Sequence, residues 1–406
     1  MRSLFYATTR ISDRISQMID PLRSGYTIED IEDQANRVAD VVERVRNSIF
    51  SPDYVKKSPT FSVTQLAALC RIDRSALTRR LAKGDLPTGQ EINKSKRDFT
   101  LAEARIWARA YGRSYKRKPG DKAVVVTTGN SKGGVSKTTT TMCMAQGLSL
   151  LGYRVLCIDL DPQGSLTSLC GYLPDTQIQE EDTILPLCAG DETSLRYAVK
   201  PTYWDGLDIV GCSPVAFAAE FHIPSRQSKR EAGFRFYDVL NRGLDDLRDE
   251  YDVMLVDTSP TLSYLSLNAF FAADGLIMPI PPRGMDFASS SQFWTLFSGL
   301  ATSIAEQAGG GKTWKFINVL LSMTEGKGNV NESVVREWVK VAYGDKLMTG
   351  EIPKTVVSSS SGTKFSTVYD ITKYTGSAKT YQTARVAYDA AVDQVEAQIR
   401  RVWVRE

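Results

Sequence analysis

Apolar positions along the chain change their spacing at two points, and each change marks a different kind of structure. Through residues 1–50 they recur every three or four positions. Ile11, Ile15, Met18 and Ile19 form one stripe, and Ile28, Ile31, Ala35, Val38, Val42 and Val45 a second, with Pro21 and Gly25 between them. That period predicts amphipathic helices, whose apolar side needs a surface to cover, either a second copy or the following domain. From Phe61 shorter pieces follow: a helix over 63–69, a turn at Cys70-Arg71-Ile72, and a helix over 74–83 with Asp73 as its N-cap and Gly84 as its stop. After residue 122 the pattern becomes continuous apolar runs, at 123–126, 154–159, 207–211, 251–257, 275–279 and 314–323, with helical stretches at 287–305, 330–343 and 378–402. Runs buried on both faces and alternating with helices predict an α/β domain built on a doubly wound parallel sheet.

Gly112 to Asp121, rich in Lys and Arg and carrying Pro119-Gly120, reads as a linker. The expected division is therefore residues 1–53 as N-terminal helices, 54–118 as a second domain, and 119–406 as the α/β domain. At 406 residues the chain is too long for one ordinary core. Its 42% hydrophobic and 24% charged content is that of a soluble globular protein, and no apolar run approaches the roughly 18 residues of a membrane span. A cytoplasmic protein is expected.

Charge changes the picture of the middle domain. Over residues 54–118 Lys and Arg outnumber Asp and Glu 16 to 5, while the whole chain carries only +3. Such a block calls for a polyanion. With Ala76, Leu77 and Leu81 facing inward, the helix after Asp73 presents Arg74, Thr78, Arg79 and Arg80, the pattern of a DNA-reading helix. Leu86 to Asp98, with Lys94, Lys96 and Arg97, could be a basic wing on the phosphate backbone, before a further helix that runs to Tyr111. These fifty residues loosely resemble winged helix–turn–helix regulators of the MerR type. The domain organisation becomes an all-α N-terminal helix and winged helix–turn–helix region ahead of the α/β domain.

Six scattered cysteines without a CxxC pair suggest neither zinc nor disulfides, and a lone histidine, His222, argues against imidazole chemistry.

The chemistry concentrates at Thr127 to Thr141, TTGNSKGGVSKTTTT, between an apolar run and a helical one. Gly133 and Gly134 let the backbone aim successive N–H groups at phosphate oxygens, and Lys137 and Thr138 open a helix whose positive end faces the same anion. Lys137 is placed to reach the β- and γ-phosphates and Thr138 to hold Mg²⁺. The general GxxxxGK[ST] pattern fails, because Ser131 and Ser136 stand at its glycine positions. Ser136 is expected to be uncomfortable if the turn requires φ > 0. What fits is KGGxxK[ST], with Lys132 ahead of the glycines. Two runs that end in carboxylate accompany it. Asp159 and Asp161 follow one and Asp257 the other, and all three should emerge at the C-terminal edge of the sheet.

The loop resembles that of deviant Walker ATPases of the ParA and MinD type. KGGVSKTTTTMCMAQGLSLLGYRVLCIDLDPQGSLTSLCGYLPD, PTYWDGLDIV and YDVMLVDTSPTLSYLSLNAF are similar to the ATPase of plasmid partition cassettes, most like the RepA component of repABC-type plasmids. The resemblance covers about 280 residues, from Val124 onward. It implies a P-loop ATPase with ATP and Mg²⁺ as cofactors, and an ATP-binding loop of Lys132, Gly133, Gly134, Val135, Ser136, Lys137, Thr138 and Thr139. Lys132 would reach the partner subunit's nucleotide in a sandwich homodimer. Asp161 would position the hydrolytic water with Asp159 behind it, and Asp257 would act on Mg²⁺ through water. It also implies weak ATPase activity stimulated by a ParB/RepB-type adaptor and DNA, nonspecific DNA binding in the ATP state, nucleoid association, and repression of its own operon through the front domain. Lys364 and Lys379, among Ser, Thr and Tyr near the C-terminus, could track that DNA. Thr258-Ser259-Pro260 departs from the usual Asp-x-Pro-Pro. The alternatives are a repressor that uses nucleotide only as a switch, or a metabolic enzyme on the same fold.

Overall fold

In the computed structural model, residues 25–49, 56–93, 96–113, 115, 117–325, 329–354, 366–371 and 377–404 are described. Residues 1–55 and 56–406 form two units. In the first, helix α1 (Ile28–Ile49) opens where the Thr27 N–H donates to Asp30 Oδ2 at 2.8 Å and the Asp30 N–H donates back to Thr27 Oγ1 at 3.2 Å. Ile28, Ile31, Val38 and Val41 lie more than half exposed along it. The Ile11 to Ile19 stripe falls outside the described residues.

The second unit begins with the front domain. Strand β1 (Phe61–Ser62) leads into helices α2 (Val63–Cys70) and α3 (Arg74–Leu81), then a hairpin of β2 (Gln90–Asn93) and β3 (Lys96–Phe99), then helix α4 (Leu101–Ala110). The sheet order is β1-β3-β2, antiparallel, so the basic segment expected as a wing is a β-hairpin. Local chemistry fixes these boundaries. Ser62 with Gln65, and Thr100 with Glu103, form capping boxes, Asp73 Oδ1 accepts from the Ala76 N–H, and Arg71 ends α2 in the left-handed region at φ 55°. Leu66, Leu77, Phe99, Leu101 and Trp107 form the domain's buried centre.

The α/β domain runs β4 (Val124–Thr128), α5 (Lys137–Leu150), β5 (Val155–Leu160), α6 (Ser165–Leu169), β6 (Lys200–Pro201), β7 (Leu207–Val210), β8 (Val253–Thr258), α7 (Tyr264–Ala272), β9 (Gly275–Ile280), α8 (Gly284–Ala308), β10 (Phe316–Thr324), α9 (Val330–Tyr343), β11 (Leu347–Pro353) and α10 (Ala378–Trp403), with short helical turns between. The sheet order is β11-β10-β9-β4-β8-β5-β7-β6, and every pairing is parallel except β6 with β7. The chain moves out from β4 to β5 and β7 on one side, then back through β8 to β9, β10 and β11 on the other. That reversal at β4 is the topological switch point where open α/β sheets bind ligands. Apolar clusters cover both faces, which is why β4, β5, β8 and β9 are buried throughout. All six cysteines are buried and unpaired.

The front domain docks on the C-terminal end of α5. Arg105 on α4 donates from Nε to the Ser149 carbonyl at 2.9 Å and from Nη2 to the Tyr153 carbonyl at 2.8 Å, while it pairs with Asp205. Arg109 Nε donates to the Gly152 carbonyl at 2.7 Å. Guanidinium groups thus satisfy carbonyls left over at and just past a helix end and complement its negative pole. Gly206 makes the approach possible, since a Cβ there would lie 1.9 Å from Arg105 Cζ.

Candidate nucleotide site

The glycine loop and the three carboxylates emerge from the C-terminal edge of β4, β5 and β8. Strand pairing puts Thr128 opposite Asp257, and Asp257 opposite Asp159. The loop after β4 is anchored before it reaches its glycines. Gly129 leaves room for the Phe270 ring, which a Cβ would approach to 2.4 Å. Asn130 donates to the Pro279 carbonyl at 2.8 Å and accepts from the Lys132 N–H at 3.0 Å, and Ser322 Oγ on β10 donates to the Val135 carbonyl at 3.0 Å.

Gly134 has φ 72°, and Ser136 has φ 72° and ψ 28° with no side-chain cap bond. The left-handed turn expected at Ser136 is therefore present in a residue with a Cβ. It aims the first turn of α5 at a cleft of about 570 Å³ lined by Gly133, Gly134, Ser136, Lys137, Thr138 and Asp161, among others. Thr139 lines it too, whereas Val135 is buried beneath the loop.

Lys137 is 6% exposed, and its Nζ donates to the Lys132 carbonyl at 3.0 Å. Burial lowers its pKa, against the pull of Asp257 and Asp161. The Lys132 side chain is half-buried and forms no ion pair among the described residues.

The carboxylates divide their work. Asp159 is held through both oxygens: Oδ1 accepts from the Asp161 N–H at 3.1 Å, and Oδ2 from the Thr167 N–H at 2.9 Å and Thr167 Oγ1 at 2.8 Å. It is fully buried and shapes the loop that carries Asp161. Asp161 accepts from the Gln163 N–H at 3.0 Å and lines the cleft. Gly164 closes that turn at φ 61°, where a Cβ would meet Pro174 Cγ at 2.5 Å.

Asp257 is fully buried. Its Oδ1 accepts from Thr141 Oγ1 at 3.3 Å and its Oδ2 has no partner among the described residues. Burial pushes its pKa up, Asp159 beside it adds to the rise, and Thr138 and Lys137 oppose it. Burial likewise pushes Asp159 up.

The sequence pattern missed the far wall of the cleft. Met323, at φ 53° where β10 breaks register, joins Ile352 and Pro353 of β11 and the stretch 366–368. Only the Pro after Ile352 hints at a strand end there.

In the front domain Arg74, Thr78 and Arg79 are exposed on α3. Arg80 pairs with Asp85, Lys96 with Asp98 at 3.4 Å, and Arg97 with Glu91 at 3.8 Å while donating to the Thr88 carbonyl at 2.6 Å. Those three are partly spent inside the domain. Lys379 is exposed on the first turn of α10, whereas Lys94 and Lys364 lie outside the described residues. His222 is exposed and distant in sequence from every group of the cleft.

A protein-family profile described as an AAA domain matches residues 123–309. The chain is 31% identical to the chromosome-partitioning ATPase Soj of Thermus thermophilus over 56% of its own length and 80% of that protein. It is 27% identical to a protein of Rhizobium rhizogenes provisionally named replication protein A, over 92% of its own length and 95% of that protein. Among solved structures, one named a partition protein aligns over 92% of this chain and 99% of its own with a TM-score of 0.65 at 18% identity, a likeness of fold.

Proposed function

The chain belongs to the ParA family of partition ATPases, and from that premise we propose that it is the ATPase of a plasmid partition system that also represses its own operon. ATP and Mg²⁺ are its cofactors. The observation that carries this reading is the convergence, at one strand edge, of a glycine turn, the buried Lys137 and a buried carboxylate with one unpartnered oxygen. That orphaned oxygen fits a hydrated cation, because a buried charge left unpaired is costly unless something binds it.

On binding, backbone N–H groups of Gly133 to Thr138 surround the phosphates and Lys137 trades the Lys132 carbonyl for phosphate oxygen. Thr138 and, through water, Asp257 would hold Mg²⁺, which when bound neutralises charge on the β- and γ-oxygens. Asp161, on a loop held by Asp159, orients the attacking water. Lys132, which forms no ion pair among the described residues, reaches the nucleotide of a second subunit in a sandwich homodimer, and the exposed stripe of α1 offers a further dimer contact.

DNA is engaged in two ways. Arg74, Thr78 and Arg79 read an operator from α3, with Arg80, Lys94, Lys96 and Arg97 on its backbone. Lys364 and Lys379 serve a nonspecific, ATP-dependent mode that ties the cytoplasmic protein to the nucleoid. A ParB/RepB-type adaptor and DNA stimulate a weak ATPase. No helix among the described residues is long and apolar enough to cross a membrane.

The test compares two variants with DNA and adaptor present. Lys132→Ala should bind ATP yet lose the ATP-dependent dimer rearrangement, and Asp161→Ala should keep the ATP state and lose turnover. Normal hydrolysis by both removes the basis for this reading, and full operator repression without any turnover in the wild type favours the nucleotide-switched repressor.

A further inference from the structure

Lys56 stands just ahead of the front domain, 81 positions before Lys137 in the chain, yet it is buried against the nucleotide domain. Its side chain is 7% exposed, as is that of Asp370, and the Nζ to Oδ2 distance is 3.0 Å. The same ammonium donates to the Leu169 carbonyl at 2.8 Å and lies 4.3 Å from the centroid of the Tyr203 ring. Asp370 is held from several directions. Gln146 of α5 donates to its Oδ1 at 3.0 Å, Tyr203 OH donates to the same oxygen, and the Thr367 N–H donates to Oδ2 at 2.8 Å. Thr367 Oγ1 donates in turn to Gln146 Oε1.

These bonds bring three parts of the molecule to one buried point. Gln146 sits on the helix whose first residue is Lys137. Leu169 closes the helix that follows the Asp161 loop and itself lines the cleft. Ser366, Thr367 and Val368, two to four positions before Asp370 in the chain, form part of the cleft's far wall. Among the described residues no other cation forms an ion pair with Asp370.

We infer that Lys56 is a positioning residue for nucleotide binding: its ion pair with Asp370 holds the 366–371 wall against α5, so that the segment preceding the DNA-binding domain helps set the shape of the nucleotide cleft. This rests on the ATP-site reading above and extends it to a residue that touches neither phosphate loop nor carboxylates. Removing one partner of a buried pair strands the other charge, whereas replacing both with neutral groups of similar size is far better tolerated.

The experiment measures nucleotide affinity with a fluorescent ATP analogue, KM and kcat with ATP, and Tm, on the full chain. Lys56→Met should weaken nucleotide binding and raise KM by about tenfold, the equivalent of one lost interaction of ordinary size, with kcat within about twofold. Adding Asp370→Asn to it should recover affinity to within about threefold of wild type. Tyr203→Phe, which removes one donor to Asp370 and no charge, should weaken binding about threefold and serves if Lys56→Met does not fold. A merely structural ion pair would lower Tm and leave affinity and KM unchanged. That result, or a double variant no better than the single one, overturns the inference. A wild type that binds no nucleotide would instead overturn the ATP-site reading itself.

Discussion

Replacing Asp257 with Asn should make the nucleotide-free protein more stable and the nucleotide-bound protein less so, and the opposite signs make the test sharp. Asp257 is fully buried, faces Asp159 across the β5–β8 pairing, and leaves Oδ2 without a partner. A buried acceptor in that condition costs about 1–3 kcal/mol, and more if charged. Asn keeps the Oδ1 contact with Thr141 and sheds the charge, but its amide nitrogen finds no better partner and returns part of the gain. A net stabilisation of about 1–2 kcal/mol remains, which at about 2–4 °C per kcal/mol for a domain of 150–250 residues is roughly 2–8 °C in Tm, with the low end expected for the larger unit of residues 56–406.

The pH dependence follows from the same groups. Burial raises the pKa of Asp257 in the folded state above its unfolded value, so its contribution is intact below the ordinary carboxylate range and is lost as pH rises through the raised value. The Tm advantage of Asp257→Asn should therefore grow from acid toward neutral pH. With ligand the order reverses. At a hundredfold excess over Kd a bound nucleotide adds about 2.7 kcal/mol, and the variant should lose the part that requires Mg²⁺. Thermal unfolding across pH, with and without Mg²⁺-ATP, checks both arms. A variant less stable than wild type without nucleotide, or equally stabilised by Mg²⁺-ATP, refutes the argument.

Two further outcomes follow. Ser136→Gly should stabilise the protein by about 0.5–1 kcal/mol, since the left-handed backbone costs a residue with a Cβ about 1–2 kcal/mol while glycine's freer unfolded state takes back about 0.4–1 kcal/mol. Denaturant unfolding measures it, and a loss of stability would mean that Ser136 gains something from its hydroxyl. Arg79→Ala should weaken operator binding with loss of about 1–3 kcal/mol of base discrimination while sparing ATP-dependent binding to random duplexes, and Lys379→Ala should do the reverse with a shallower salt slope. Titrations on both DNAs at several salt concentrations decide it, and equal losses on both DNAs would mean one shared surface.

Much of the candidate site was legible because a phosphate-binding loop needs few residues at fixed spacing. Gly133, Gly134, Lys137 and Thr138 are contiguous, and strand-end carboxylates announce themselves after apolar runs. Buried strands such as β4, β5 and β8 are continuous in Val, Leu and Ile, so their existence and order in the chain were visible. Edge strands were not. In β11 polar residues, Gly350 and Pro353 break the apolar run, and β6 is only Lys200-Pro201. The far wall of the cleft was hidden for the same reason, because Met323, Ile352 and Thr367 come together only through sheet order. Arg105 and Lys56 read as part of a basic block meant for DNA, yet the fold buries both in the contact with the α/β domain. A sequence reports charge, but not which charges are already spent.

The central claim is that the loop from Lys132 to Thr139 binds the phosphates of ATP. Calorimetric titration of Mg²⁺-ATP into wild type and Lys137→Ala tests it most directly, because Lys137 is the one buried cation of the loop and charge-assisted contacts of this kind are worth about 1.5–3 kcal/mol. The account predicts saturable binding to the wild type and an affinity at least about tenfold weaker in a variant that remains folded. Equal affinity in the two proteins would contradict it.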